Sequence, residues 1–265
     1  MPPSEPTHPT ETVDESFAVH PHDVYRRWRD EGGVRRVRFP GPVPLAGWVV
    51  TGHAACRAAL ADPRLSKDGA TEVFARYAGL PTDGPGGSLT THMLNSDPPR
   101  HTRLRRIVQQ AFTTRRVADL RPRIEARVTA LLDALDGADQ DEVRHESPFG
   151  IATLRYTTEP VTIAGTAIPA GEFVQIALSA ANRDPDVFGA PDRFDITRDA
   201  SRHLAFGHGI HHCLGAPLAR LQAGIAFGHI LRRFPGLRHA YPHRAPQWQN
   251  NPRHRGLLTL PVRLR

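Results

Sequence analysis

Two cysteines in 265 residues leave no room for a disulfide framework, so the fold must rest on packing alone. No apolar run is long enough to span a bilayer, and no membrane association is expected. Met1 to Thr10 has neither a basic start nor an apolar stretch, so no secretory signal is read there and a cytoplasmic protein is expected. The Pro, Thr, Ser and Glu of that region predict a disordered tail over residues 1–16, with one domain over 17–265. Acidic residues are the scarcer charge, 27 against 34 Lys and Arg, which leaves a net charge of +7. A nucleic-acid-binding chain of that sign would gather its cations among aromatics. Here arginine is scattered throughout and no such block occurs, so no nucleic-acid partner is expected.

Apolar residues make up 39% of the chain, enough for a core. Val24, Tyr25 and Trp28 predict one face of a helix over His22 to Asp30. Two strands, Val34 to Phe39 and Leu45 to Thr51, flank the turn cluster Pro40-Gly41-Pro42. A helix over Ala54 to Ala61 ends at Asp62-Pro63. Gly69 to Thr90, rich in Gly, Pro and Thr, reads as loop. Asp97-Pro98-Pro99 starts a helix to about Phe112, with Asp97 as its N-cap. Val117, Leu120, Ile124, Val128, Leu131 and Leu135 then recur in steps of three and four, which predicts an amphipathic helix. Strands follow at Ala152 to Tyr156, Val161 to Ile163 and Phe173 to Leu178, then a loop over Asn182 to Asp199, a long helix to Phe234 and a closing strand over Leu257 to Val262. The class expected is mainly α with a small mixed β-sheet.

The chemistry concentrates in residues 206–215, Phe-Gly-His-Gly-Ile-His-His-Cys-Leu-Gly. Cys213 sits in a glycine-rich loop just before the helical segment that starts at Ala216. A helix N-terminus favours charged sulfur, and a thiolate is a ligand for iron. His211-His212-Cys213 does not make a structural zinc site, which needs four ligands, because Cys56 is the only other thiol.

Phe206, Gly209, His211, Cys213 and Gly215 fill every fixed position of Phe-x-x-Gly-x-(His/Arg)-x-Cys-x-Gly, the cysteine loop of the cytochrome P450 family. Asp97-Pro-Pro-Arg-His-Thr-Arg-Leu-Arg-Arg106, Trp48 to Lys67, and Asn182-Arg-Asp-Pro-Asp with Pro191-Asp-Arg-Phe-Asp195 resemble further segments of that family, so the likeness covers residues 20 to 265. The resemblance implies haem b, with Cys213 as the axial ligand of its iron. It implies Phe206 packed beside the sulfur, Gly209 permitting the loop turn and Gly215 permitting close approach of the last helix. It assigns His101, Arg105, Arg155 and His211 to the two propionates. It further implies oxidation of a small organic substrate by dioxygen, with electrons from a ferredoxin-type donor docking near Arg105, Arg106, Arg202 and Arg220.

Two departures stand out. The family's helical Glu-x-x-Arg, completed by a second arginine, corresponds here to Asp141, Arg144 and Arg193. The family's central helices, including the one crossing the distal face of the haem with an acidic residue and a threonine, have no counterpart between Leu135 and Asp141. An internal deletion near 136–141 is therefore expected. Without that helix, oxygen activation lacks its proton delivery. Three outcomes follow: a monooxygenase as in the family, a haem-binding scaffold or remnant without turnover, or an oxidant that uses peroxide. Self-association over the exposed distal face is a further expectation.

Overall fold

The computed structural model describes residues 8–40, 45–79, 92–135, 141–142, 149–195, 197–249, 251, 253–254 and 256–264. By its contacts the chain divides into two compact units. The first comprises Met1–Arg103, Pro148–His212 and Asn250–Arg255, and the second Leu104–Ser147, Cys213–Gln249 and Gly256–Arg265. Each closes its own sheet. Among the described residues no helix is long and apolar enough to cross a membrane.

The first unit is built on a six-stranded mixed sheet. Its strands in chain order are β1 (Glu11–Thr12), β2 (Val34–Arg38), β3 (Ala46–Val50), β4 (Leu65–Ser66), β6 (Arg155–Thr157) and β9 (Phe173–Ile176). They lie in the order β1-β2-β3-β9-β6-β4, with parallel pairing at β1–β2 and β3–β9 and antiparallel pairing elsewhere. Strand β3 shows why both faces need apolar residues. Trp48 and Val50 enter one core cluster with Val174 and Ile176, while Val49 enters another with Val37, Tyr25 and Trp28. Successive side chains point to opposite faces, and each face is covered. Gly47 lets β3 and β9 meet, since a Cβ there would lie 2.8 Å from the Phe173 carbonyl oxygen. A separate hairpin pairs β7 (Val161–Ile163) with β8 (Thr166–Ile168).

Helices α1 (Ser16–Val19), α2 (Pro21–Asp30), α3 (His53–Ala61), α4 (Lys67–Tyr77) and α8 (Leu178–Ala181) complete this unit. Helix α2 buries Tyr25 and Trp28 on the face anticipated from their spacing. Glu11 and Val13 fall within the stretch read from sequence as tail. Trp28 Nε1 donates to Glu11 Oε2 at 2.9 Å, and Val13 is buried.

The stretch expected as loop from Gly69 instead begins as helix α4, and residues 80–91 lie outside the described ones. The cause is a contact across 30 residues. The Asp97 side chain reaches across to the start of α4. Its carboxylate accepts from Ser66 Oγ at 2.6 Å and from the backbone N–H groups of Lys67 and Asp68 at 2.9 and 3.1 Å. Asp68 in turn accepts from the Asp97 N–H at 2.9 Å, and Ser66 Oγ caps Gly69 N–H at 2.8 Å. Free N–H groups of the first helical turn are thereby satisfied from a distant segment.

Helix α5 (Arg100–Gln109) crosses the division between the units. The second unit holds α6 (Thr114–Asp119), α7 (Arg121–Leu135) and α9 (Ala216–Arg233), and a sheet in the order β10-β11-β5 from Arg238–His239, Pro261–Arg263 and Asp141–Glu142. The apolar stripe is only partly covered. Val117 and Leu132 are buried, whereas Leu131, expected inside, is 65% exposed; Leu135 lies where side chains are not described. Phe227 and Leu231, four apart on α9, are as exposed as Leu131. Asp141, matched above to a helical Glu-x-x-Arg, lies instead in a strand paired with Val262. Its acidic surroundings carry no apolar period that would hold a helix against a core. Arg144 lies outside the described residues, and Arg193 is exposed and enters no ion pair among the described residues.

Candidate functional site

The cysteine loop is pinned in the first unit before it reaches Cys213. Asn182 Oδ1 accepts from Leu204 N–H at 2.6 Å, His53 Nε2 lies 3.0 Å from the Arg202 carbonyl oxygen, and Asp184 caps α3 through His53 N–H at 2.7 Å. Asn182 and Asp184 thus fix the loop's approach, a role the sequence suggested only as part of a matched segment. Gly207 and Gly209 both have φ of +72°. At Gly209 a Cβ would lie 3.0 Å from the Leu60 carbonyl oxygen and 3.1 Å from Ala61 Cα, so glycine is required there by both φ and space. Gly209–His211 then form one turn of 3₁₀-helix.

Cys213 follows that turn as an exposed free thiol, while Cys56 is buried in the first unit's core. Burial pushes the Cys56 thiol far up and Asp184 adds to the shift, so it is no rival nucleophile or ligand. Gly215 ends the loop as the residue before α9, with ordinary backbone; a Cβ would lie 3.9 Å from Cys213 Sγ and 4.0 Å from Phe112 Cε1. The room at Gly215 is thus beside the sulfur itself. Phe206 is half-buried, with its ring 5.7 Å from that of His203.

Of the four cations assigned to propionates, His101, Arg155 and His211 belong to the first unit. The His101 and His211 rings lie 4.3 Å apart, and His101 and Arg155 are buried. Arg155 Nη1 donates to the Thr153 carbonyl at 3.1 Å. Burial lowers its pKa to about 10, against the pull of Asp97. Arg105, four residues after His101 on α5, belongs to the second unit and is half-buried. Sequence reasoning missed Lys67, which is as buried as Arg155 and donates from Nζ to Thr153 Oγ1. Lysine reads as surface unless something long-range covers it.

This donor set fits an iron porphyrin. The second unit offers a soft, exposed thiol, and in the first a glycine cradle holds the loop while buried Lys67 and Arg155, which no described carboxylate pairs with, suit carboxylate groups from outside.

Comparison with known proteins agrees. The family model described as Cytochrome P450 matches residues 143–264. The chain is 30% identical to cytochrome P450 monooxygenase PikC of Streptomyces venezuelae, over 96% of this chain and 93% of that protein. It is 31% identical to cytochrome P450 107B1 of Saccharopolyspora erythraea, over 94% and 96%. Among solved structures, the tirandamycin C-bound P450 monooxygenase TamI matches with a TM-score of 0.89 and 31% identity, covering 96% of this chain and all of that one. The PikC alignment needs 395 positions for a 265-residue chain, so the relative carries internal residues that this chain lacks. The chain belongs to the cytochrome P450 family, the haem-binding monooxygenases, and is shorter than its relatives.

Proposed function

We propose that this chain oxidises a small organic substrate through a haem held by Cys213. Bound haem supplies the redox chemistry of dioxygen; the chain's residues bind, orient and insulate it. Cys213 gives its thiolate to the iron, and Phe206 limits water near the sulfur. His101, Arg105, Arg155 and His211 take the propionates. Gly209 and Gly215 give the loop and α9 the space to bring the sulfur up. The observation that carries this reading is the exposed Cys213 thiol after a loop whose Gly209 admits no side chain. The test is a titration with ferric haem followed at the Soret band. One haem per chain is expected, and Cys213→Ser should lose the thiolate spectrum; a wild-type chain that binds none would refute the reading.

The electron donor fits as an acidic, ferredoxin-type protein, since Arg106, Arg202 and Arg220 are exposed. Charge reversal at Arg106 and Arg202 should flatten the salt dependence of reduction. A second reading, peroxide-driven oxidation, is favoured by the internal residues present in relatives and absent here, which we place between Leu135 and Asp141. Turnover with peroxide and no reductase, abolished by Cys213→Ser, would establish it. Leu131, Phe227 and Leu231 offer exposed apolar side chains for self-association, which sedimentation would detect.

A further inference from the structure

The first unit contains two buried basic side chains with no ion-pair partner among the described residues. Lys67 and Arg155 are each 2% exposed, and no described salt bridge uses either. Thr153 holds both of them, accepting from Lys67 Nζ through its hydroxyl and from Arg155 Nη1 through its carbonyl at 3.1 Å. The two side chains are therefore tied to one residue and cannot separate without breaking a bond.

One carboxylate acts on both, that of Asp97, but it is already occupied by Ser66 Oγ and the N–H groups of Lys67 and Asp68. Half-buried Arg253 adds a third positive charge to the surroundings of Lys67. A buried charge is retained only when paired, coordinated or neutralised. An arginine does not readily give up its proton, whereas a lysine does. Burial first, then Arg155 and Arg253, push Lys67 down to about 6, against Asp97. Arg155 thus keeps a buried charge with no direct ion pair among the described residues, beside a lysine placed to take up a proton when an anion arrives.

We propose that Lys67 is a haem-propionate ligand, acting beside Arg155 on the carboxylate groups of the porphyrin. This rests on the haem reading above and extends it to a residue that the cysteine-loop and α5 motifs do not include. A cation that does no more than fill space would be indifferent to whether the porphyrin carries free carboxylates. Lys67 should distinguish them.

The experiment titrates wild type, Lys67→Met and Lys67→Arg with ferric haem and with haem dimethyl ester, whose propionates carry no charge. Protons exchanged on binding are recorded in parallel between pH 7 and 9. Lys67→Met should weaken haem by about tenfold to a hundredfold, the worth of a charge-assisted hydrogen bond, and leave the ester unchanged. Lys67→Arg should recover most of the loss. Wild type should take up more protons on binding haem than on binding the ester, and Lys67→Met should abolish that difference. Equal losses for haem and ester, or no loss for either, would overturn the proposal. If Lys67→Met does not fold, wild type decides: equal proton exchange for the two ligands overturns it. A wild-type chain that binds neither ligand sinks the haem reading as well, whereas one that binds both and ignores Lys67 sinks this inference alone.

Discussion

Replacing Gly209 by alanine should cost far more than the same change two residues earlier. Both positions have φ of +72°, so each alanine meets the left-handed penalty of roughly 1–2 kcal/mol. At Gly207 the nearest atom to an added Cβ is the His211 carbonyl oxygen at 3.8 Å, an ordinary contact. At Gly209 the Cβ would meet the Leu60 carbonyl oxygen at 3.0 Å and Ala61 Cα at 3.1 Å, both backbone of the last turn of α3. Backbone cannot rotate away as a side chain can, and overpacking of this kind adds about 1–3 kcal/mol. Both alanines stiffen the unfolded chain by a similar, opposing amount, which cancels in the comparison. Gly209→Ala should therefore lose about 2–5 kcal/mol and Gly207→Ala about 1–2. Both glycines lie in the first unit, so one unfolding transition reports both. Urea melts followed by far-UV circular dichroism give the comparison directly. Equal midpoints for the two variants would refute the close approach of the loop to α3.

The two thiols should separate by reagent. At pH 8 Ellman's reagent should modify Cys213 but not buried Cys56 in the native chain, both after denaturation, and neither once haem is ligated. Between a folded pKa of about 6 and the ordinary lysine value, the unfolded chain binds one more proton at Lys67 than the folded chain does. Haem-free stability should thus rise with pH above about 6, by up to about 1.4 kcal/mol per pH unit, and lie flat below it as far as this residue is concerned. Urea melts of Lys67→Met from pH 7 to 9 should lack that slope; an unchanged slope contradicts the burial of Lys67. Ile176→Ala, at a fully buried sheet position, should cost about 2–5 kcal/mol, whereas Leu131→Gln should change stability by less than about 0.5 kcal/mol.

Much of this structure is local and was therefore legible. The alternation around Val34 to Val50, the face of α2 and the hairpin at Val161 to Ile163 follow from side-chain period alone. The cysteine loop was legible because its glycine and cysteine spacing is itself the chemistry. What stayed hidden depends on contacts distant in sequence. Helix α4 looks like loop until Asp97 satisfies its first turn from 30 residues away. Lys67 looks like surface until Thr153 and Arg155 enclose it. Leu131 looks like core because period marks a face but cannot say whether anything covers it.

The central claim, that Cys213 binds porphyrin iron as a thiolate, is tested most directly by the carbon monoxide spectrum of the haem-loaded, reduced chain. A strongly red-shifted Soret band, lost in Cys213→Ser, is the result expected. A band at the shorter wavelength of neutral axial ligation in wild type, unchanged by that substitution, would contradict it.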